Sequence, residues 1–183
     1  MTKGTNGYIR YKKSRQFLWT GVIAAISVGL FLCGYFATGT TKNLLTVFAV
    51  LGVLPGAKAL VNGIVFAPYK SLSAETYKTF CDAAGENGIL YSDLVFTSSK
   101  SIMHLDALYV NGTELVGYSE NAKDKEKKEI LSYFTDSCKK RGTTVHMHIF
   151  ETEKEMTERI ESLRERTDEI PEVVTEFIRM ILV

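Results

Sequence analysis

Two long apolar runs fill most of the first third of the chain, and a short polar segment, 39–43, separates them. The first run covers 17–38 and the second covers Leu44–Phe66. As helices rising about 1.5 Å per residue, both are long enough to cross a hydrocarbon core of about 30 Å. The connection is too short for anything but an antiparallel arrangement. The pattern therefore predicts a transmembrane helical hairpin over 17–66, with the lipid bilayer as its partner.

The basic residues around this hairpin predict its orientation. Cytoplasmic flanks of membrane helices carry an excess of Lys and Arg. The connecting segment has only Lys42, whereas the stretch 1–16 contains most of the basic residues near the hairpin: Lys3, Arg10, Lys12, Lys13 and Arg15. We therefore expect a multi-pass protein of the cell membrane with both termini in the cytoplasm. The alternative is a cleaved signal peptide, whose apolar region would be about 7–15 residues long.

The second apolar run contains residues that favour close helix packing. Gly52 and Gly56 form a small-xxx-small pair, a spacing that lets two membrane helices approach each other. Pro55 lies between them, removes a backbone donor and predicts a kink. These residues favour packing either within the hairpin or between subunits, and hence a homo-oligomer or a membrane-protein partner.

Lys58 and Asn62 lie one turn apart on the same face of this second run. An ionisable residue inside a membrane span is a candidate functional residue by default. Lys58 is about 12 Å from the cytoplasmic end of the run, and a flexible amine can extend part of that distance toward the interface. Two interpretations stay open: interfacial anchoring, or a position facing a helix bundle or a pore.

From residue 69 onward, helical and strand-like patterns alternate, which predicts a cytoplasmic α+β domain over 69–183 with helices covering a mixed sheet. The Asn111-Gly112 pair predicts a hairpin between two of the strands, and Thr152 with Glu155 predicts a capping box at the start of a helix. The predicted order is a helix capped by Ser71 or Ser73 and ending at about residue 84, strands at 89–97, 102–110 and 114–119, a helix at 124–141, a strand at 143–150, and two helices.

The last helix begins at Pro171 and has a broad apolar stripe that ends in Ile181. Three surfaces could cover this stripe: the sheet of the same domain, a second subunit, or the membrane face. The sheet is the simplest of these, because a small sheet needs a covering layer.

Composition narrows the function. The formal net charge is +1 and the basic residues after the hairpin are interleaved with acidic ones, so nucleic-acid binding is not expected. The three cysteines are widely spaced, which argues against a zinc site or a disulfide framework and for reduced thiols. No glycine-rich phosphate loop occurs, and no cofactor is expected.

The order helix, three strands, helix, strand over 73–150 resembles the core of the restriction-endonuclease-like nucleases. That family carries an Asp near the second strand and a Glu-x-Lys on the third, which bind a divalent metal and activate water. The resemblance implies Asp106, Glu120 and Lys123 as the corresponding residues. Here the lysine follows the glutamate by three positions instead of two, which in a strand would place it on the opposite face. The resemblance therefore implies a degenerate relative.

The histidines form a second candidate constellation. His146 and His148 alternate on one predicted strand, as do His104 and Asp106 on another, so each pair shares a face. Four such side chains could hold a metal ion. The same alternation is expected of a half-buried strand with its polar side in water.

Taken together, these patterns predict a membrane-anchored cytoplasmic binding or assembly module that is not an enzyme. Two alternatives stay open: a membrane-tethered metal-dependent nuclease, and a membrane effector gated by a ligand of its cytoplasmic domain.

Overall fold

The structure is a computed structural model that describes residues 4–97, 102–166 and 168–182. The chain divides into two compact units. One is Ile9–Tyr69, and the other combines the N-terminal segment up to Tyr8 with the chain from Lys70 onward.

The first unit is a helical hairpin of α1 (Tyr8–Thr38) and α2 (Leu44–Phe66). Helix α1 begins well before the apolar run, so the basic segment is itself mostly helical. Asn43 caps α2, because its side-chain oxygen accepts from the Thr46 N–H at 2.8 Å and its amide donates to the Thr40 carbonyl at 2.8 Å. Helix α2 continues through Pro55 without a break.

By length and composition, α1 and α2 could each cross a membrane. A core helix of a soluble protein can pass the same test, but such a helix is buried. Only 11% of the most apolar window of α1 and 6% of that of α2 are buried. Large apolar side chains such as Leu18, Phe36 and Leu54 are exposed on these helices.

The second unit is an α+β fold built on a mixed sheet of four strands within the described residues. Its elements in chain order are α3 (Ala74–Ala84), β1 (Ile89–Thr97), β2 (Ile102–Asn111), β3 (Glu114–Tyr118), α4 (Asp124–Lys139), β4 (His146–Phe150), α5 (Glu153–Leu163) and α6 (Glu172–Ile181). The strands lie in the order β1-β2-β3-β4. Strands β1 to β3 form an antiparallel meander, and β4 pairs parallel to β3 after the crossover through α4.

Helices cover both faces of this sheet. Helices α4 and α6 pack with one set of apolar strand residues, and α3 and α5 pack with the other. The helix starts agree with the sequence: Ser73 caps α3, and Thr152 with Glu155 forms the capping box of α5. The prediction of an α+β fold with helices over a mixed sheet is confirmed.

The apolar stripe of the last helix is covered by its own domain. Val174, Phe177 and Ile178 are at most 1% exposed. Phe177 contacts the rings of Tyr133 and Phe134 on α4, with centroid distances of 6.0 Å and 5.5 Å. Of the three surfaces considered for this stripe, the fold of the same domain accounts for its burial.

The strand hairpin differs from the prediction in one respect. Asn111 is the last residue of β2 and pairs with Glu114, so the turn consists of Gly112 and Thr113. Only Gly112 of these has a positive φ, at 57°. The side chain of Asn111 is buried and donates to the carbonyls of Leu163 and Arg166 at 3.0 Å and 2.9 Å. Asn111 is thus needed to close the end of α5.

Candidate functional site

An irregularity in two neighbouring strands brings two carboxylates together. In the register of β1 and β2, Ser92 pairs with Ala107 and Leu94 pairs with Leu105, which leaves Asp93 opposite Asp106. Asp93 is the only described non-glycine residue with a positive φ, 56°. Leu105 and Leu108 enter the same core layer although they are three positions apart, so the alternation of β2 is interrupted at Asp106.

Asp106 is held by the turn that follows β3. Its Oδ2 accepts from the Glu120 backbone N–H at 3.1 Å, and its backbone carbonyl accepts from the Ser92 hydroxyl at 3.3 Å. His104 Nδ1 lies 3.8 Å from Asp106 Oδ1. Burial raises the pKa of the Asp106 carboxyl from 3.8 to about 6; the Glu120 N–H bond opposes this, and the charges of Glu120 and Asp93 add to it.

Asp93 is more deeply buried than Asp106. The residue is 2% exposed, and its Oδ1 accepts from the Leu72 backbone N–H at 3.1 Å. The Ser92 hydroxyl lies 3.5 Å from the same oxygen. A buried carboxylate needs such donors, because burying a charge without hydrogen bonds is costly. Asp93 is not among the candidate residues named from the sequence, although a charged residue inside the apolar run ILYSDLVFT was the available signal.

Glu120 and Lys123 do not occupy the positions expected of strand residues. Strand β3 ends at Tyr118, and both residues lie in the connection to α4, where Lys123 is the residue before the first turn. Both are exposed, and it is the backbone of Glu120 that binds Asp106. Strand β3 ends one residue before the predicted end at 119, so Glu120 and Lys123 do not take the strand positions that the nuclease resemblance implies for them.

The four candidate metal ligands do not form one site. His146 pairs with Glu114 and His148 with Val116 at the edge strand β4, and Val116 in turn pairs with Tyr109. His104 precedes Tyr109 by five positions on β2, so it is about 16 Å away along the strands and about 10 Å across them from His148. Across residues 4–97, 102–166 and 168–182, no group of three or more His, Cys, Asp or Glu could hold a metal ion.

The glycine pair of the hairpin faces the other helix of the same hairpin. A Cβ on Gly56 would lie 3.1 Å from Ile23 Cγ2, and one on Gly52 would lie 2.9 Å from Ser27 Oγ. Both contacts are with α1. Of the two uses that the sequence left open for this pair, packing within the hairpin accounts for both glycines.

Lys58 and Asn62 lie elsewhere on α2. Lys58 is exposed and Asn62 is half-buried. The hairpin sequence 9–69 contains no Asp or Glu, so no carboxylate within the hairpin can neutralise Lys58. Where α1 begins and α2 ends, Lys13 donates to the carbonyls of Ala67 and Tyr69 at 2.7 Å and 2.6 Å and so closes the end of α2.

Comparison with known proteins adds no assignment. No protein-family model matches the chain, and neither the curated proteins nor the solved structures include a significant match. The functional argument therefore rests on the residues and their geometry.

Proposed function

We propose that the protein is a membrane-anchored cytoplasmic module whose α+β domain binds a partner and does not catalyse a reaction. One observation carries the anchoring. Both hairpin helices expose large apolar side chains along their length, whereas the α+β unit has a complete core of its own on both faces of its sheet. In water such a hairpin would be an aggregation hazard, but in a bilayer its surface matches the solvent.

The orientation follows from the charges. The basic residues at the start of α1 include Lys13, which binds carbonyls just after α2, and their number favours a cytoplasmic location for this end of the hairpin, from which the chain continues into the α+β unit.

Cysteine labelling in intact cells tests this orientation. Thr40 lies in the connecting turn and Lys125 lies on the exposed side of α4, so each accepts a cysteine without disturbing packing. With Cys33, Cys81 and Cys138 replaced by alanine, a membrane-impermeant thiol reagent should label Thr40→Cys and spare Lys125→Cys. Labelling of both, or of Lys125→Cys alone, would contradict the proposal.

The non-catalytic part of the proposal is supported by the surroundings of Asp106. Burial favours its neutral form, and its Oδ2 is occupied by a backbone donor. Lys123, which would have to assist the attacking water, lies at the start of α4 and not on β3.

The second candidate function is a metal-dependent nuclease. The observation that favours it is the topology: an antiparallel meander, a helical crossover and a parallel fourth strand, with Asp106 in the middle of the second strand. Detergent-solubilised protein should be assayed for Mg²⁺- or Mn²⁺-dependent cleavage of DNA and RNA. Asp82→Ala, on the exposed side of α3, is the matched control. Cleavage lost in Asp106→Ala and kept in the control would establish the nuclease and refute the binding module.

Any further membrane contact of the hairpin should involve the face that carries Lys58. The glycine face of α2 is used against α1, while Lys58 is exposed and has no carboxylate in the hairpin to neutralise it. We expect this face to meet lipid headgroups, a second copy of the hairpin or a membrane protein that supplies an acidic group. Crosslinking of a Lys58→Cys variant in membranes distinguishes these outcomes.

A further inference from the structure

Two segments connect the α+β unit to the hairpin, and both are bonded to the same dipeptide. We call residues 4–8 the N-terminal tether, since α1 starts at its end, and residues 70–73 the C-terminal tether, since they follow α2. The Ser92 N–H donates to the Gly4 carbonyl at 2.9 Å. The next residue, Asp93, accepts from the Leu72 N–H at 3.1 Å. Both tethers therefore end on Ser92–Asp93.

The attachment of the N-terminal tether uses the free side of an edge strand. Strand β1 is at the edge of the sheet, and edge strands leave backbone N–H groups without a strand partner. Gly4 has a φ of 79°, and a Cβ there would lie 3.1 Å from Tyr91 Cδ1 and 3.3 Å from Leu182 Cδ1. Only glycine fits this close approach without strain.

The attachment of the C-terminal tether depends on the unusual backbone of Asp93. Its φ of 56° belongs to the left-handed region, which Asp and Asn adopt more readily than other side chains. The backbone of Asp93 sets the direction of its carboxylate, which holds Leu72. The Ser92 N–H that holds Gly4 lies in the peptide before Ser92, so only Ser92 separates the two attachments and a change in the conformation of Asp93 would reach the second one through it.

This dipeptide is also in contact with the candidate site. The Ser92 hydroxyl donates to the Asp106 carbonyl, and Asp93 lies opposite Asp106 in the strand register. The charge of Asp93 is among the causes that raise the pKa of Asp106, so the two side chains are close enough to interact electrostatically. A change of charge at Asp106 therefore acts directly on Asp93, the residue that accepts the hydrogen bond from the C-terminal tether.

We propose that Ser92–Asp93 is a clamp that holds both tethers of the membrane hairpin and transmits changes at Asp106 to them. The proposal rests on the anchoring proposed above, and it gives the anchored module a route by which binding at its cytoplasmic domain reaches the membrane. The route requires that the two attachments open together, since coupling between sites must be reciprocal. If the two attachments were independent, breaking one hydrogen bond would leave the other unchanged.

Hydrogen exchange of the full-length protein in detergent tests the clamp. Asp93→Gly keeps access to the positive φ and removes the acceptor, whereas Asp93→Asn keeps both the acceptor and the backbone preference and is the matched control. In Asp93→Gly we expect the amides of Leu72 and Ser92 to exchange about tenfold faster or more, since a hydrogen bond to a charged acceptor is lost. The control should retain most of the protection at both amides. Faster exchange at Leu72 alone would overturn the clamp.

A second variant changes the N-terminal tether instead, and it keeps the test valid if Asp93→Gly fails to fold. Gly4→Val is strained at a φ of 79° and should displace the N-terminal tether without touching Asp93. If the clamp exists, the Leu72 amide also exchanges faster, although it belongs to the other tether. An effect confined to the Ser92 amide would overturn the proposal.

The link to Asp106 has a predicted sign. Asp106→Asn removes the charge that repels Asp93, so both tether amides should exchange more slowly than in the wild type. Unchanged or faster exchange of the Leu72 and Ser92 amides would show that Asp106 does not act on the clamp. Failure of the anchoring is recognised separately, because the wild-type protein would then be released from membranes by carbonate extraction whatever its exchange pattern.

Discussion

The Asp106→Asn substitution should stabilise the α+β domain at neutral pH and leave its stability unchanged in acid. Burial raises the pKa of this carboxyl from 3.8 to about 6, so the folded domain binds the proton more tightly than the unfolded chain does. The stabilising effect of protonation is fully present below pH 3.8 and is lost as the pH rises through about 6. Above that pH, the wild type must keep an ionised carboxylate where burial opposes it.

The size of the effect follows from the same shift. A difference of one pKa unit corresponds to about 1.4 kcal/mol, so the ionised Asp106 lowers the free energy of unfolding by up to about 3 kcal/mol at pH 8. The side chain is only 16% exposed, which limits screening by solvent. Asparagine has nearly the same shape and can still accept from the Glu120 N–H, so the variant should recover most of this energy without creating a cavity.

Urea unfolding in a nonionic detergent, followed by circular dichroism at several pH values, measures the difference. The hairpin stays helical in the micelle, so the transition reports the α+β domain. Asp82→Asn on the exposed side of α3 serves as the control for removal of a surface charge. The reasoning is refuted if Asp106→Asn is less stable than the wild type at pH 8, or if the difference between them is the same at pH 4 and pH 8.

Three further substitutions test the packing. Gly56→Leu should separate the hairpin helices, since even a Cβ at this position would lie 3.1 Å from Ile23. Amide hydrogen exchange in the hairpin should become faster, while the mass of the protein by light scattering stays constant. A lower mass with unchanged exchange would place Gly56 against another subunit. Asn111→Ala should lower the free energy of unfolding by about 1–3 kcal/mol, because buried carbonyls at the end of α5 lose their donor. Phe177→Ala should cost about 3–5 kcal/mol in urea unfolding, whereas Met180→Ala on the exposed side of α6 should change it by less than about 0.5 kcal/mol, and equal effects would contradict the burial of α6.

The elements that follow from a strong local signal were predictable from the sequence. The span Leu44–Phe66 coincides with α2, because apolar length alone defines it. The start of α5 follows from Thr152, and the start of α3 follows from Ser73, one of the two serines that could cap it, because each cap acts within a single turn. The α+β class and the mixed sheet follow from the hydrophobic pattern. Apolar residues repeat with the helical period in some segments and with the strand period in others, and each period matches only one kind of element.

The candidate site was only half predictable, because its geometry depends on pairing across strands. Asp106 was found through its spacing to Glu120, and the predicted strand already ended before Glu120, but nothing in that spacing indicated that the Glu120 backbone N–H would bind Asp106. Asp93 was missed because strand alternation assigns each residue to a face, and a positive φ interrupts that alternation at a place that only the register reveals. The four-ligand histidine arrangement failed for the same reason: sharing a face of a strand does not bring two distant ends of a sheet together.

The buried Asp93–Asp106 pair has no evident role in stabilising the fold. Two facing carboxylates repel each other, one residue has a left-handed backbone conformation, and the ionised form of the other opposes folding at neutral pH. At position 106 a neutral residue would avoid the cost of burying a charge. Strain of this kind persists where the surrounding structure imposes it, and the residues attached here are the two tethers of the hairpin. The energy that Asp106→Asn should recover is therefore also a measure of the cost of keeping a charge beside the two tethers.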